Sequence, residues 1–430
     1  MAGPGTTDAR TLRDAAIAAY QRGDADALTL VSNALEQYPD DGGLLISEAG
    51  MRLARGDPDA LNRMTQIVAR APDWVDGQIA LARFRWESGD SETYLSAIES
   101  ALSRLPRHAG LWKSYISLLA GSGKLLEAAD AAQMARRKGF DLPMLRLIEA
   151  IHSGAAGDLD RAGRLLSDLP RELPDLPQQM ARHRLRIGKP DEALVELDEA
   201  RRRHPDDISN WALTETAWRL IGDERHGWLV GDGALAGPLD LDVSQADLSA
   251  LAKALRGLHA AGAAPIGQSV RRGTQTRGDI FKRADSIFVD LRHWLAKAVA
   301  KFWQALPAQD AAHPVLRHRD AAPAFVTGWS IRMTGGGFHV SHIHPGGVLS
   351  SAFYVTVPDG LDADEREGWI ELGRPPDDLR LDLDPLFVFE PKPARLVLFP
   401  SYLYHGTRRF SDGERMSVAF DTDILGADSR

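Results

Sequence analysis

The feature that most constrains this chain is a glycine that returns at almost fixed spacing through its first half. Gly23-Asp24, Gly56-Asp57, Gly89-Asp90, Gly123-Lys124, Gly157-Asp158, Gly188-Lys189 and Gly222-Asp223 follow one another in steps of 33, 33, 34, 34, 31 and 34 residues. A segment rich in Ala, Leu and Trp precedes each glycine and a second follows it. Within one unit Trp74, Ile79, Leu81, Ala82 and Phe84 keep helical spacing, and Tyr94, Leu95, Ile98 and Leu102 resume it after the turn. Glycine permits the left-handed turn between two helices. Pro39, Pro72, Pro106, Pro143, Pro174 and Pro205 mark the joints between units, near helix starts, where a missing N–H is harmless. A single helix pair cannot bury its apolar face, but stacked neighbours can, so this period implies a helical solenoid.

The period and the placement of Ala, Gly and Pro resemble the tetratricopeptide repeat (TPR) over residues 8–230. The unit at 159–169 fits least well, and no Thr-Pro-Leu-His turn supports an ankyrin array. Architecture alone leads us to expect a protein or peptide partner on the concave face of such an array. Bracing or dimerisation is the alternative.

Composition narrows the function classes. At 430 residues the chain exceeds one ordinary core, and 44% apolar with 26% charged residues is a globular profile. No run of about 18 apolar residues could cross a membrane. The first residues lack the basic and apolar regions of a secretory leader, so a cytoplasmic protein is expected. The absence of cysteine removes disulfides, thiolate catalysis and Cys-based metal sites. A net charge of −9 argues against a nucleic-acid partner, with Arg271, Arg272 and Arg277 as a local basic patch that reads as a solvated loop.

The period stops near Gly231-Asp232-Gly233, and residues 231–430 are expected to form a second domain. Residues 240–243 read as a linker or edge strand. Ser244 caps a helix carrying Leu248, Leu251, Leu255 and Leu258 on one face, and a second amphipathic helix spans 285–306. The polar run 268–276 reads as an irregular loop. From Phe325 the apolar period falls from 3.6 to 2, with strands expected at 325–333, 349–357, 368–372, 386–389, 395–399 and 415–423. The fold class is therefore α+β multidomain: an all-α solenoid, then helical support (244–306) around an antiparallel sandwich or barrel (325–423).

Histidines concentrate in that last part. His339, His342 and His344 fall within six residues, and His405 follows later. Residues two apart on an extended chain share a face, so His342 and His344 can present two imidazoles to one ion, with His405 arriving from across the barrel. Such a set suits Fe(II), Zn(II), Cu(II) or Ni(II). Arg415 lies ten positions after His405, and Ser417 shares its face. A guanidinium pairs bidentately with a carboxylate; the alternative is an ion pair with Glu414 or Asp421.

Residues 337–347 (GFHVSHIHPGG), 349–355 (LSSAFYV), 398–407 (LFPSYLYHGT) and 414–421 (ERMSVAFD) resemble the 2-oxoglutarate/iron oxygenases found fused to TPR arrays. The resemblance implies a double-stranded β-helix (jelly-roll), one Fe(II), and 2-oxoglutarate with O₂ as cosubstrates. It implies His342, His344 and His405 as metal ligands, and Arg415 and Ser417 as holders of the distal carboxylate. Tyr354 and Ser350 could touch the cosubstrate or be packing, and Gln268, Arg271 and Gln275 line the substrate mouth. Trp329 and Arg332 are expected to be structural. The chain departs from the superfamily's His-x-Asp/Glu pattern, since His344 stands at the carboxylate position and makes the centre one unit more positive. Two variants stay open: His344 leaves its position free, or His339 replaces one of the pair. The expected activity is hydroxylation of a protein, peptide or peptide-like substrate near the array. The rival is a metal-binding sensor with an inactive barrel.

Overall fold

A computed structural model describes residues 8–424. The first half is built of helix pairs. They are α1 (Ala9–Arg22) with α2 (Ala27–Gln37), α3 (Gly42–Ala54) with α4 (Asn62–Arg70), and α5 (Val75–Glu87) with α6 (Ser96–Arg104). There follow α7 (Ala109–Gly121) with α8 (Leu125–Arg137), α9 (Pro143–Ala156) with α10 (Leu159–Ser167), α11 (Leu176–Arg186) with α12 (Pro190–Arg203), and α13 (Ile208–Ile221) with α14 (Arg225–Val230). All seven recurring glycines have positive φ, between 69° and 100°, which an L side chain adopts only with strain. Asp8, Asp41, Asp158 and Asp207 cap their helices by accepting a backbone N–H. Small side chains let neighbours close up: Ala128, Ala129, Ala131, Ala132 and Ala135 of α8 are all buried, and most of them pack with Tyr94, Ile98 and Leu111 in one cluster.

The second half comprises β1 (Gly237–Asp240), α15 (Gln245–Arg256), β2 (Val270–Gln275), α16 (Ser286–Ala305), β3 (Pro323–His339) and β4 (Leu349–Thr356). It continues with β5 (Ile370–Leu372), β6 (Phe387–Phe389), β7 (Arg395–Pro400), β8 (His405–Thr407) and β9 (Glu414–Ile424). Two antiparallel sheets result, ordered β1-β7-β4-β9-β3-β2 and β6-β5-β8, the jelly-roll arrangement expected. Leu248, Leu251 and Leu255 of α15 and Phe288, Leu291 and Leu295 of α16 pack on Phe353, Leu396, Val418 and Phe420 of the larger sheet. These two helices are support.

Three local expectations are refined. Residues 268–276 are largely a strand, because β2 pairs with β3 at the sheet edge. A register shift between Arg271 and Gly273, with Arg272 at φ 53°, disguises its period. At 240–243 both readings hold in part: the edge strand β1, paired with β7, ends at Asp240, and 241–243 are the linker that follows it. Strand β3 also runs on to His339 through three glycines. A Cβ at Gly335 would stand 2.7 Å from the Ser411 carbonyl oxygen, so the chain needs glycine to pass there.

The first helices of most pairs face the second half. The Arg22 carbonyl at the end of α1 accepts Ala284 N–H at 3.0 Å, and the Glu87 carbonyl of α5 accepts Gly262 N–H at 2.8 Å. Gly121 of α7 accepts Gly267 N–H at 3.0 Å. Arg182 and Arg186 of α11 meet Asp378 at 3.0 and 2.5 Å, and Arg219 of α13 donates to the Gly373 and Asp384 carbonyls. The Glu87 carboxylate pairs with Arg277, whose guanidinium also lies 4.7 Å from the Phe84 ring centroid. Arg277 therefore belongs to this internal interface and not to a free basic loop. Leu185, Leu197, Leu213 and Leu229 share one core with Trp303, Leu349, Tyr402 and Leu403. The helix face turned toward the second half is thus covered by the chain's own barrel.

Candidate metal centre

Two short segments bring the histidines together. His342 N–H donates to the His405 carbonyl at 3.0 Å and His405 N–H returns to the His342 carbonyl at 2.9 Å, an isolated antiparallel bridge. Residues paired in this way project their side chains on the same side, and the two ring centroids lie 4.2 Å apart. His344, two residues on, joins them at 5.0 and 4.8 Å. One ring nitrogen from each of His342, His344 and His405 lies within 4.8 Å of the others. Gly406 allows the approach: a Cβ there would meet the His339 carbonyl at 2.9 Å and the Ser341 nitrogen at 3.2 Å. Below the bridge, Tyr402 donates to the Leu229 carbonyl at 2.6 Å, seating the His405 turn on α14.

The second nitrogen of each ring fixes its tautomer. His342 Nδ1 lies 2.9 Å from the Val340 carbonyl, His405 Nδ1 3.1 Å from the Leu403 carbonyl, and His344 Nδ1 2.7 Å from Asp421 Oδ1. A ring that donates from Nδ1 keeps a lone pair on Nε2. Yet His342 Nε2 and His344 Nε2 stand only 3.1 Å apart. Two lone pairs facing each other repel unless a cation lies between them, so the donor set fits a divalent ion. Burial holds His342 at a pKa of about 3, helped by His344, and holds His405 well below the ordinary value. Both rings stay neutral and able to ligate.

His339 is close but differently engaged. Its Nδ1 lies 2.9 Å from Ser269 Oγ, which also stands 3.1 Å from His342 Nε2, and it is outside the converging set. Trp329 closes one side, its ring centroid 5.5 Å from that of His344.

These side chains line a small inner cavity of about 50 Å³ that also contains Arg415 and Ser417. Arg415 is 2% exposed. Neither suspected acid pairs with it: Glu414 binds Arg256 and Arg332 at 2.6 Å each, and Asp421 binds His344. The Arg415 guanidinium lies 3.9 Å from Met333 Sδ. Arg415 Nε and Tyr354 Oη are both buried without a hydrogen-bond partner, and the guanidinium lies 5.0 Å from the Tyr354 ring centroid. Burial raises the Tyr354 phenol while the Arg415 charge opposes it. Orphaned donors of this kind fit a carboxylate ligand.

For Ser350 the sequence offers cosubstrate contact or packing. It stands opposite Asp421 in the β4–β9 register, donates to Asp421 Oδ1 at 2.7 Å and lies 2.9 Å from Ser401 Oγ, so its hydroxyl faces a carboxylate of the protein. Gln268, Arg271 and Gln275 lie at the rim of an outer cavity of about 600 Å³ that shares His342, His344 and Trp329 with the inner one. Arg271 folds back onto the Gln268 and Val270 carbonyls at 2.7 and 3.0 Å. The sequence reading gives Ser269 no role, and the alternative ion pair of Arg415 with Asp421 does not form, because Asp421 binds His344. Nothing in the sequence marks Ser269 beyond its place in the polar run.

Residues 327–421 match the family model described as "Putative 2OG-Fe(II) oxygenase". The chain is similar to a tetratricopeptide repeat protein from Parabacteroides merdae at 17% identity, over 51% of this chain and 88% of that one, with a TM-score of 0.37. It is similar to the viral collagen prolyl hydroxylase of Paramecium bursaria Chlorella virus-1, solved as a 2OG complex, at 12% identity, 45% and 98% coverage and a TM-score of 0.31. A prolyl-4-hydroxylase from Pseudomonas putida gives 15% identity, 46% and 99% coverage and a TM-score of 0.31. No curated protein matches.

Proposed function

We propose that this chain is an Fe(II)- and 2-oxoglutarate-dependent oxygenase that hydroxylates a protein, peptide or peptide-like substrate bound between the helical array and the barrel. The observation that carries this reading is Arg415, a buried guanidinium with no carboxylate partner among the described residues. Leaving a buried charge unpaired costs several kcal/mol, so a fold that keeps one there keeps it for an anion that arrives with a ligand. A diacid can place its far carboxylate on Arg415, beside Ser417, while its other end reaches the imidazoles lining the same cavity. An inactive metal sensor would have no use for this cation.

His342, His344 and His405 would hold the ion. Bound Fe(II) supplies dioxygen activation coupled to oxidative decarboxylation of 2-oxoglutarate. The remaining work belongs to the protein. The Val340 and Leu403 carbonyls and Asp421 hold the three rings in the tautomer that leaves Nε2 free. Arg415 and Ser417 fix the direction in which the diacid lies, and Trp329 shields the imidazoles from bulk water.

The substrate's path is shared by both halves. Gly121, Gly123 and Leu125 from the α7–α8 turn wall the outer cavity opposite Gln268, Arg271 and Gln275. At Gly121 and Gly267 this cavity meets a groove of about 430 Å³ along α5 and α7, which carries the exposed side chains of Arg83 and Lys113. An extended segment with acidic groups suits that groove, and the array then acts as one wall of the substrate site.

The test is succinate released from 2-oxoglutarate by the Fe(II)-loaded full chain in air. Turnover is expected even without substrate, at a low rate. Arg415→Ala should weaken apparent 2-oxoglutarate affinity by about 2–3 kcal/mol, roughly 30- to 150-fold. Metal binding with no succinate under any substrate condition would reduce the barrel to a binding module.

A further inference from the structure

Of the three converging imidazoles, His344 alone is backed by a charged side chain. Asp421 Oδ1 takes its Nδ1–H at 2.7 Å, where His342 and His405 are backed by neutral carbonyls. His344 is also the position at which the related pattern has Asp or Glu. We propose that Asp421 supplies, one hydrogen bond further out, the negative charge missing from the ligand position, so that His344 and Asp421 serve together as one anionic ligand. This inference rests on the metal-centre reading above.

The charge arithmetic supports it. A divalent ion with three neutral imidazoles sums to +2, and including Asp421 gives +1, the value for two imidazoles and one carboxylate. The centre is therefore not more positive than its relatives, contrary to the expectation from His344 alone. The carboxylate is also built into place. Asp421 is 9% exposed, receives Ser350 Oγ at 2.7 Å on the same oxygen, and lies opposite Ser350 in the strand register. The backbone passes close over it, since a Cβ on Gly347 would stand 2.9 Å from the Asp421 Cβ. No Arg or Lys pairs with it among the described residues, so no fixed cation cancels its charge. A carboxylate hydrogen-bonded to a ligating imidazole fixes the ring and makes it a stronger donor. Asp421 is thus a positioning residue whose effect reaches the ion through His344.

The experiment is an anaerobic titration of the metal-free full chain with Co(II), comparing the wild type with Asp421→Asn. Asparagine keeps an acceptor of the same shape and removes the charge. Affinity should fall by about 10- to 100-fold, with the circular dichroism and melting temperature of the metal-free protein unchanged. Equal affinity in the two proteins would overturn the proposal while leaving the metal centre standing. A wild type that binds no Co(II) would overturn the metal-centre reading itself. Should Asp421→Asn fail to fold, the zinc-loaded wild type decides by proton NMR. The His344 Nδ1–H is expected furthest downfield of the three ring protons, and indistinguishable shifts would overturn the proposal.

Discussion

Four residues project from one face of β9 toward the cavities: Arg415, Ser417, Ala419 and Asp421. Two carry opposite charges and neither neutralises the other. On an extended strand, positions six apart are separated by roughly 20 Å, too far for an ion pair. Each charge is therefore free for its own end of the site. The geometry of the guanidinium should matter as much as its charge, because only a planar fork meets a carboxylate at two points. Arg415→Lys is accordingly expected to raise the apparent KM for 2-oxoglutarate about tenfold with kcat less affected, as checked by succinate formation against 2-oxoglutarate concentration. Full activity in the lysine variant would show that a point charge suffices. At this scale the histidine cluster and the Arg-x-Ser element were legible, because their spacing alone puts them on shared faces. The same rule could have excluded both suspected partners of Arg415. Glu414 is on the other face, where Arg256 and Arg332 take it, and Asp421 is too distant. Ser350 and Asp421 could not be paired in advance, since their contact depends on the β4–β9 register.

Among the elements, the three-residue strand β8 is the most consequential. Its three residues carry His405 to the His342 bridge, and Gly406 lets the two backbones touch. A methyl group at that point meets main-chain atoms that cannot rotate away. Gly406→Ala is expected to weaken Co(II) binding at least about tenfold by spreading the ligands, while the helical circular dichroism stays that of the wild type. Unchanged binding would mean that the bridge is not what holds the ligands. The helical units were readable because recurring glycine turns, prolines at the joints and apolar spacing point to the same helix pairs. Strand β2 was not, because a polar edge strand with a shifted register has no clean alternation. Strand β8 was anticipated only through His405 arriving from across the barrel, without bounds of its own.

For the whole molecule, the sequence announced two halves but not their relation. Beside the shared apolar core, the contacts joining them include backbone carbonyls, close-packed glycines and arginines at large sequence separation, such as Gly121 with Gly267 and Arg186 with Asp378. None of these has a local signature. The α7–α8 turn walls the outer cavity, onto which His342 and His344 open. On the proposed function, the array and the barrel would each supply one wall of the substrate site. The most direct test of this account is an anaerobic crystal structure of the full chain with Mn(II) and 2-oxoglutarate. The account predicts one ion on His342, His344 and His405 and the distal carboxylate of the diacid on Arg415. An ion held elsewhere, or a diacid that leaves Arg415 unpaired, would contradict it.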